Sequence, residues 1–161
     1  MTGDVHAAAT RVLEACKRQG LMVATAESCT GGLVAGALTA IAGSSAVVER
    51  GFVTYSNQAK AEMLGVPMAL IEAHGAVSEP VARAMAEGAL PRSRAQLSVA
   101  ITGIAGPDGG GSDKPVGLVH FAAARQGAAT VARHHVFVGD REAVRVQSVL
   151  EALALLAELA G

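Results

Sequence analysis

Short apolar runs of strand length alternate with stretches of helical periodicity along most of this chain, and that alternation confines the fold more tightly than any single motif. Residues 4–19 place Val5, Ala8, Ala9, Val12, Leu13 and Cys16 at helical spacing, with Gly20 following as a C-cap signal. Residues 21–25 are a short apolar run with turn chemistry after it, and 32–42 reads as an alanine-rich helix closed by Gly43. A second strand is expected over 46–55, with Ser56 as N-cap of a helix over 57–64. Residues 67–73 form a short helical connector, Ser78-Glu79-Pro80 opens another helix ending near Leu90, and 96–101 is a third strand. Residues 116–124 and 128–138 flank Arg125-Gln126-Gly127, a hairpin turn, so these two strands should pair antiparallel. Beyond Asp140, an N-cap, Val146, Val149, Leu150, Leu153 and Leu156 recur on one face of a last amphipathic helix.

Strands alternating with helices and ending in a hairpin predict an α/β fold. The expected form is a single-domain, three-layer α/β/α sandwich on a mixed, mostly parallel sheet of about five strands, including a C-terminal antiparallel hairpin. No internal linker or repeat interrupts the pattern. At 161 residues the chain can bury roughly two-thirds of its unfolded surface, enough for an unaided core. That core has to be built from small aliphatic side chains packed closely between layers, because 51% of residues are apolar but only 2% are aromatic.

Thirteen Lys and Arg against fourteen Asp and Glu leave a net charge of −1, without the basic run or base-stacking aromatics of a nucleic-acid binder. No apolar run reaches the ~18 residues of a membrane span, and Asp4 and His6 break the order of a signal peptide, so a cytoplasmic protein is expected. Cys16 and Cys29 are then expected as free thiols. No obligatory metal is expected: His134 and His135 point to opposite faces of a strand, and His6, His74 and His120 lack ligand spacing.

Chemistry is expected first at Glu27-Ser28-Cys29-Thr30-Gly31-Gly32, between an apolar strand and a helix. Ser28 can project from the carboxyl end of the strand while the free amides of the turn and helix start stabilise an oxyanion; equally, Ser28 or Thr30 can serve only as a helix cap. The second place is Thr54-Tyr55-Ser56-Asn57-Gln58-Ala59-Lys60, where the only tyrosine ends a strand and Lys60 enters the next helix. A lysine partly buried at a helix N-terminus loses its proton more easily and suits a base, whereas an isolated lysine is usually a solvated surface group. The Tyr–Lys spacing is one residue too long for a short-chain dehydrogenase, and no dinucleotide glycine fingerprint follows the first strand.

The glycine-rich stretch 103–114 lacks the Gly-Lys-Ser/Thr ending of a P-loop, yet it follows the third strand at Thr102, where ligands gather in open α/β sheets. Gly103 and Gly106 allow its amides to approach a phosphate; the alternative is a flexible connection carrying solvated Asp113 and Lys114. Arg141 and Arg145 stand one turn apart at the start of the last helix, able to share an anion or to form a polar face.

Taken together, Ala26-Glu27-Ser28-Cys29-Thr30-Gly31-Gly32, Gly51-Phe52-Val53-Thr54-Tyr55-Ser56-Asn57 with Lys60, Gly75-Ala76-Val77-Ser78-Glu79 and Thr102-Gly103-Ile104-Ala105-Gly106-Pro107-Asp108-Gly109-Gly110 resemble the CinA C-terminal domain family over nearly the whole chain. That family includes nicotinamide-mononucleotide amidohydrolases, which convert the nicotinamide ribotide to the nicotinate ribotide and ammonia in pyridine nucleotide recycling. The resemblance implies a cofactor-free Ser-Tyr-Lys amidase: Ser28 as nucleophile, Tyr55 and Lys60 as the proton-handling pair, and Thr102 with Arg141 or Arg145 at the substrate. The turn residues Thr30, Gly31 and Gly32 would hold the oxyanion, with Gly103 and Gly106 at the phosphate. The small-molecule substrate would be nicotinamide mononucleotide, and a homodimer or higher homo-oligomer is expected partly by the same resemblance. A silent nucleotide- or protein-binding module of this fold and a serine-lysine amidase for another amide are the rival readings.

Overall fold

The computed structural model describes residues 2–161. Helix α1 (Gly3–Gln19) starts where Thr2 Oγ1 accepts from the Val5 amide and stops at Gly20. The chain continues through β1 (Val23–Glu27), α2 (Leu33–Thr39), β2 (Val48–Val53), α3 (Asn57–Leu64), α4 (Met68–His74) and α5 (Glu79–Ala89). It ends with β3 (Leu97–Gly103), β4 (Leu118–Arg125), β5 (Val131–Val136) and α6 (Arg141–Ala160). Ser56 and Asp140 cap α3 and α6 as their side-chain chemistry predicts, accepting from the amides of Ala59 and Ala143.

Several elements are shorter than their sequence patterns suggest, β2 among them at Val48–Val53 where 46–55 is expected. Helix α2 ends at Thr39 rather than Ala42: the Thr39 hydroxyl bonds back to the carbonyls of Ala35 at 2.9 Å and Gly36 at 3.2 Å, and Ser44–Ala46 forms a 3₁₀ turn before β2. The outer strand of the hairpin is confined to Val131–Val136, leaving Val138 87% exposed.

The five strands form one sheet in the order β2-β1-β3-β4-β5. β1 pairs in parallel with β2 and β3, whereas β3–β4 and β4–β5 are antiparallel. The sheet is thus parallel where helices make the crossovers and antiparallel where a loop and a tight turn do, and β4 alone runs against the other four strands.

Alternation along the strands divides the interior. Val23, Leu97, Val99, Ile101, Val119 and Phe121 face a core shared with α1, α2 and α6. The opposite face carries Ala24, Ala26, Ala100, Ala122 and Ala124, against which Val81, Met85 and Ala86 of α5 pack. With nothing larger than alanine at these strand positions, α5 lies close enough for the Ser98 hydroxyl of β3 to donate to the Ala86 carbonyl at 2.7 Å. This is the close layer packing that an aromatic-poor chain requires. Cys16 and Cys29 are both buried and free, and among the described residues no helix is long and apolar enough to cross a membrane.

Candidate active site

Ser28 directly follows β1, Tyr55 lies two residues beyond β2, and Thr102-Gly103 end β3. Because β2, β1 and β3 are parallel neighbours, all three carboxyl ends open on the same edge of the sheet. The chain leaves β1 toward β2 but leaves β3 toward β4 on the other side, a topological switch point of the kind where α/β sheets form ligand crevices. A cavity of about 300 Å³ occupies it, lined by Ser28, Tyr55, Lys60, Thr102, Gly106 and Arg141 among others.

Lys60 is the fourth residue of α3, and the Ser56 cap turns its helix so that the side chain enters the interior. It is only 1% exposed, not the solvated lysine that residue statistics favour. Its Nζ lies 3.1 Å from Ser28 Oγ and donates to the Tyr55 carbonyl at 3.5 Å. None of the ion pairs among the described residues includes it. Loss of hydration therefore dominates and pushes the Lys60 pKa down, opposed only by the nearby Cys29 sulfur. Burial pushes the neighbouring Cys29 thiol up to about 11, so it stays protonated at neutral pH and offers no thiolate to compete with the serine.

The side chain that holds the nucleophile turn is Glu27. Fully buried, its carboxylate accepts from the Thr30 hydroxyl at 2.6 Å and from the second and third amides of α2, Val34 at 2.9 Å and Ala35 at 3.1 Å. This corrects the expectation that Ser28 or Thr30 caps the helix: the N-cap is Gly32, which has no side chain, and Glu27 supplies the acceptor from five residues upstream. The glycine at that position was the available sequence signal, because orphan amides behind a side-chainless cap need an acceptor from elsewhere. Gly31 occupies the left-handed region at φ +57° to close the turn. The Ser28 amide donates to Ile101 O at 2.9 Å and the Gly31 amide to Ser28 O at 3.0 Å. The amides of Cys29 and Thr30 have no oxygen acceptor among the described residues.

The remaining sequence-predicted residues separate into two groups. Thr102, Gly103, Gly106 and Arg141 meet Ser28, Tyr55 and Lys60 in the cavity; Thr30, Gly31, Gly32 and Arg145 do not line it. Thr102, 1% exposed, donates its hydroxyl to Ala76 O at 2.8 Å and so ties β3 to the segment ahead of α5. Arg141 donates to Gly106 O at 2.8 Å and to the Tyr55 hydroxyl at 3.3 Å. The Tyr55 hydroxyl thus meets Arg141 and not Lys60, which touches the same residue at its carbonyl. Arg145, one turn on, donates instead to the carbonyls of Cys29 at 3.1 Å and Thr30 at 3.3 Å.

The glycine-rich segment is tied down as well. Gly106, at φ +85°, would bring a Cβ within 2.5 Å of Val116, so only glycine lets the loop fold back on itself there. Lys114, read from sequence as a solvated charge, donates to His74 O at the end of α4 at 2.5 Å and straps the loop to that helix. The geometry therefore comprises a buried serine–lysine pair beside the backbone of the nucleophile turn, facing an arginine across a glycine loop. Such a constellation can perform nucleophilic acyl transfer on a small anionic ligand.

Known proteins resemble this chain along most of its length. The CinA C-terminal domain model matches residues 5–160. A nicotinamide-nucleotide amidohydrolase PncC of Escherichia coli K12 is 56% identical over 91% of this chain and 88% of its own length. A CinA-like protein of Anaeromyxobacter dehalogenans is 58% identical over 86% of this chain but only 34% of its own length. The crystal structure of a competence/damage inducible protein from Agrobacterium tumefaciens superimposes with a TM-score of 0.98 at 51% identity, covering 100% of this chain and 98% of that one. A second, from Klebsiella pneumoniae, gives 0.91 at 39% identity over 96% and 95%. With the family model matched from first helix to last, the chain belongs to the CinA C-terminal domain family.

Proposed function

We propose that this chain hydrolyses the carboxamide of nicotinamide mononucleotide to the carboxylate and ammonia, with Ser28 as nucleophile and Lys60 as proton carrier, in the recycling of pyridine nucleotides. The observation that carries the reading is the buried contact of 3.1 Å between Lys60 Nζ and Ser28 Oγ on the floor of the cavity. The similarity to nicotinamide-nucleotide amidohydrolases supports the choice of amide.

With its pKa lowered by burial, Lys60 presents a larger fraction of neutral amine near pH 7 than an exposed lysine does. As Ser28 Oγ attacks the carboxamide carbon, that amine takes the hydroxyl proton, and the carbonyl oxygen gathers negative charge. The amide of Cys29, which follows the nucleophile and lines the cavity, is the donor available to meet it. Collapse of the tetrahedral species breaks the C–N bond while the Lys60 ammonium protonates the departing nitrogen, releasing ammonia and leaving an acyl-serine. Water then attacks the ester, its proton passing to Lys60 and back to Ser28 Oγ, and the carboxylate departs. The pyridinium ring already withdraws electrons from the carboxamide, so no cofactor enters the scheme.

Tyr55 serves through two different atoms: its carbonyl steadies Lys60 in either protonation state, and its hydroxyl orients Arg141. Arg141 and the amides of the loop around Gly103 and Gly106 would hold the 5′-phosphate, so that affinity comes from atoms remote from the reacting carbon. The test is ammonia release from nicotinamide mononucleotide. Ser28→Ala is expected to lower kcat at least about 10³-fold, the usual scale for loss of an activated nucleophile. Release by wild type no greater than by that variant overturns the proposal.

A further inference from the structure

We infer that Asp108 is a specificity-determining residue whose carboxylate accepts the vicinal ribose hydroxyls of the substrate at the rim of the cavity; this rests on the amidase reading above. Among the described residues Asp108 is the only carboxylate that lines the cavity, beside the two cations Lys60 and Arg141. It is exposed, and no ion pair among the described residues includes it or Arg141. The Arg141 guanidinium donates instead to Gly106 O at 2.8 Å and to the Tyr55 hydroxyl at 3.3 Å. Two opposite charges therefore border one cavity without pairing with each other, and both stay open to a ligand that carries an anionic group and hydroxyl donors.

The loop holds this carboxylate in place from both sides. Ahead of Asp108, Arg141 fixes the Gly106 carbonyl; behind it, the Gly111 amide donates to Lys114 O at 2.8 Å. A Cβ on Gly110 would stand 2.8 Å from the Val116 backbone nitrogen, so the segment lies tight against the residues that lead into β4. A side chain carried on a loop fixed in this way meets its ligand with little further ordering. The substrate offers three kinds of hydrogen-bonding group. Its carboxamide has to reach Ser28 and Lys60 on the floor, and its 5′-phosphate requires the cation at the rim. A carboxylate only accepts hydrogen bonds, so it repels the phosphate and takes the remaining donors, the ribose 2′- and 3′-hydroxyls. Its two oxygens match two vicinal O–H groups, and an acidic side chain on a ribose hydroxyl is likewise how dinucleotide-binding α/β sheets hold their ligand.

A cycle of two substrates and two proteins isolates the contact: nicotinamide mononucleotide and its 2′,3′-dideoxy analogue, each with wild type and with Asp108→Ala. Wild type is expected to favour nicotinamide mononucleotide at least about tenfold in kcat/KM, the scale of hydrogen bonds to a charged group. Asp108→Ala should lose about that factor on nicotinamide mononucleotide, as a raised KM with kcat within about twofold, and should change the dideoxy analogue less than about twofold. Asp108→Asn, whose amide still offers one oxygen, should recover part of the preference. Equal losses on both substrates, which a structural role or a pairing with the pyridinium charge would produce, overturn the assignment, and so does a wild type indifferent to the two hydroxyls. A second readout needs no turnover: calorimetric titration of Ser28→Ala, with and without Asp108→Ala, by the same two nucleotides. If wild type leaves nicotinamide mononucleotide unhydrolysed while Ser28→Ala prefers it to the dideoxy analogue and loses that preference with Asp108→Ala, the amidase reading falls and the ribose contact stands. Turnover without the preference keeps the amidase and removes the contact; neither turnover nor binding overturns both.

Discussion

The floor and the rim of the cavity are built on opposite principles. On the floor, Ser28 and Lys60 are 8 and 1% exposed above a Glu27 that is 0% exposed, and Lys60 reaches Ser28 from 32 residues along the chain. At the rim, Tyr55 is 63% exposed and Arg141 reaches in from solvent on the last helix. The contrast separates chemistry from recognition: proton transfer gains from a desolvated amine with a shifted pKa, whereas an anionic ligand has to be met by a charge that stays accessible. It also locates the cost. Polar groups on the floor oppose folding unless paired, while those at the rim are nearly neutral to it.

The largest break in this division should come from Lys60→Met. Loss of the proton carrier is expected to reduce kcat about 10²–10⁴-fold. The same substitution should stabilise the protein at pH 7 by about 1 kcal/mol, a rise of about 2–4 °C in melting temperature, because a buried amine without a counter-charge is replaced by an apolar chain of similar length. The pH dependence has a definite sign. With the folded-state pKa of Lys60 below that of the unfolded chain, the unfolded state binds more protons between the two values, so stability rises with pH across that window. Activity of the wild type should fall as pH drops through the lowered pKa, when the amine becomes charged. Lys60→Met that melts lower at pH 7, or a wild-type rate independent of pH on the acid side, would count against a neutral amine on the floor.

Glu27→Gln should act on the floor in the reverse sense, lowering stability and rate together. The amide keeps the shape but loses the charged acceptor shared by Thr30, Val34 and Ala35, and brings a buried NH₂ group with no acceptor assigned to it. Hydrogen bonds to charged groups contribute about 1.5–3 kcal/mol, so a melting point lower by roughly 5–10 °C is expected. Turnover should fall as the turn carrying Ser28 loosens. Unchanged melting would show that the carboxylate is dispensable to the turn.

These residues also mark what could be read before the structure. Element order, the hairpin, and the caps at Ser56 and Asp140 follow from local periodicity and side-chain chemistry, which the fold leaves intact. Ser28 was visible as a strand-to-helix serine because its position in the chain fixes its place at the sheet edge. Lys60 was visible only as a residue type with two possible fates, since burial depends on how α3 docks against β2, α4 and α5. Glu27 sat within the quoted turn without a role, because a carboxylate bonding amides seven and eight residues ahead has no periodic signature. Arg141 and Arg145 were equivalent in sequence, and a 100° step around one helix face per residue was not enough to separate them. Contacts with the turn and the glycine loop, 116 and 35 residues away, assign each its side.

The smallest expected effect sharpens the boundary itself. The resemblance to serine amidases of this family pairs Tyr55 with Lys60 in proton handling, but the hydroxyl lies with Arg141 at the exposed rim and only the carbonyl meets the lysine. Tyr55→Phe removes the hydroxyl and leaves that carbonyl in place. An exposed hydrogen bond to a guanidinium is a weak constraint, about 0.5 kcal/mol, so KM for nicotinamide mononucleotide should rise about two- to threefold with kcat within twofold. The pH profile set by Lys60 should not move. A hundredfold fall in kcat would place the tyrosine hydroxyl in the proton path after all, requiring its side chain to turn inward when substrate fills the cavity. The floor would then be incomplete until the ligand arrives, and the division between chemistry and recognition would not carry through the reaction.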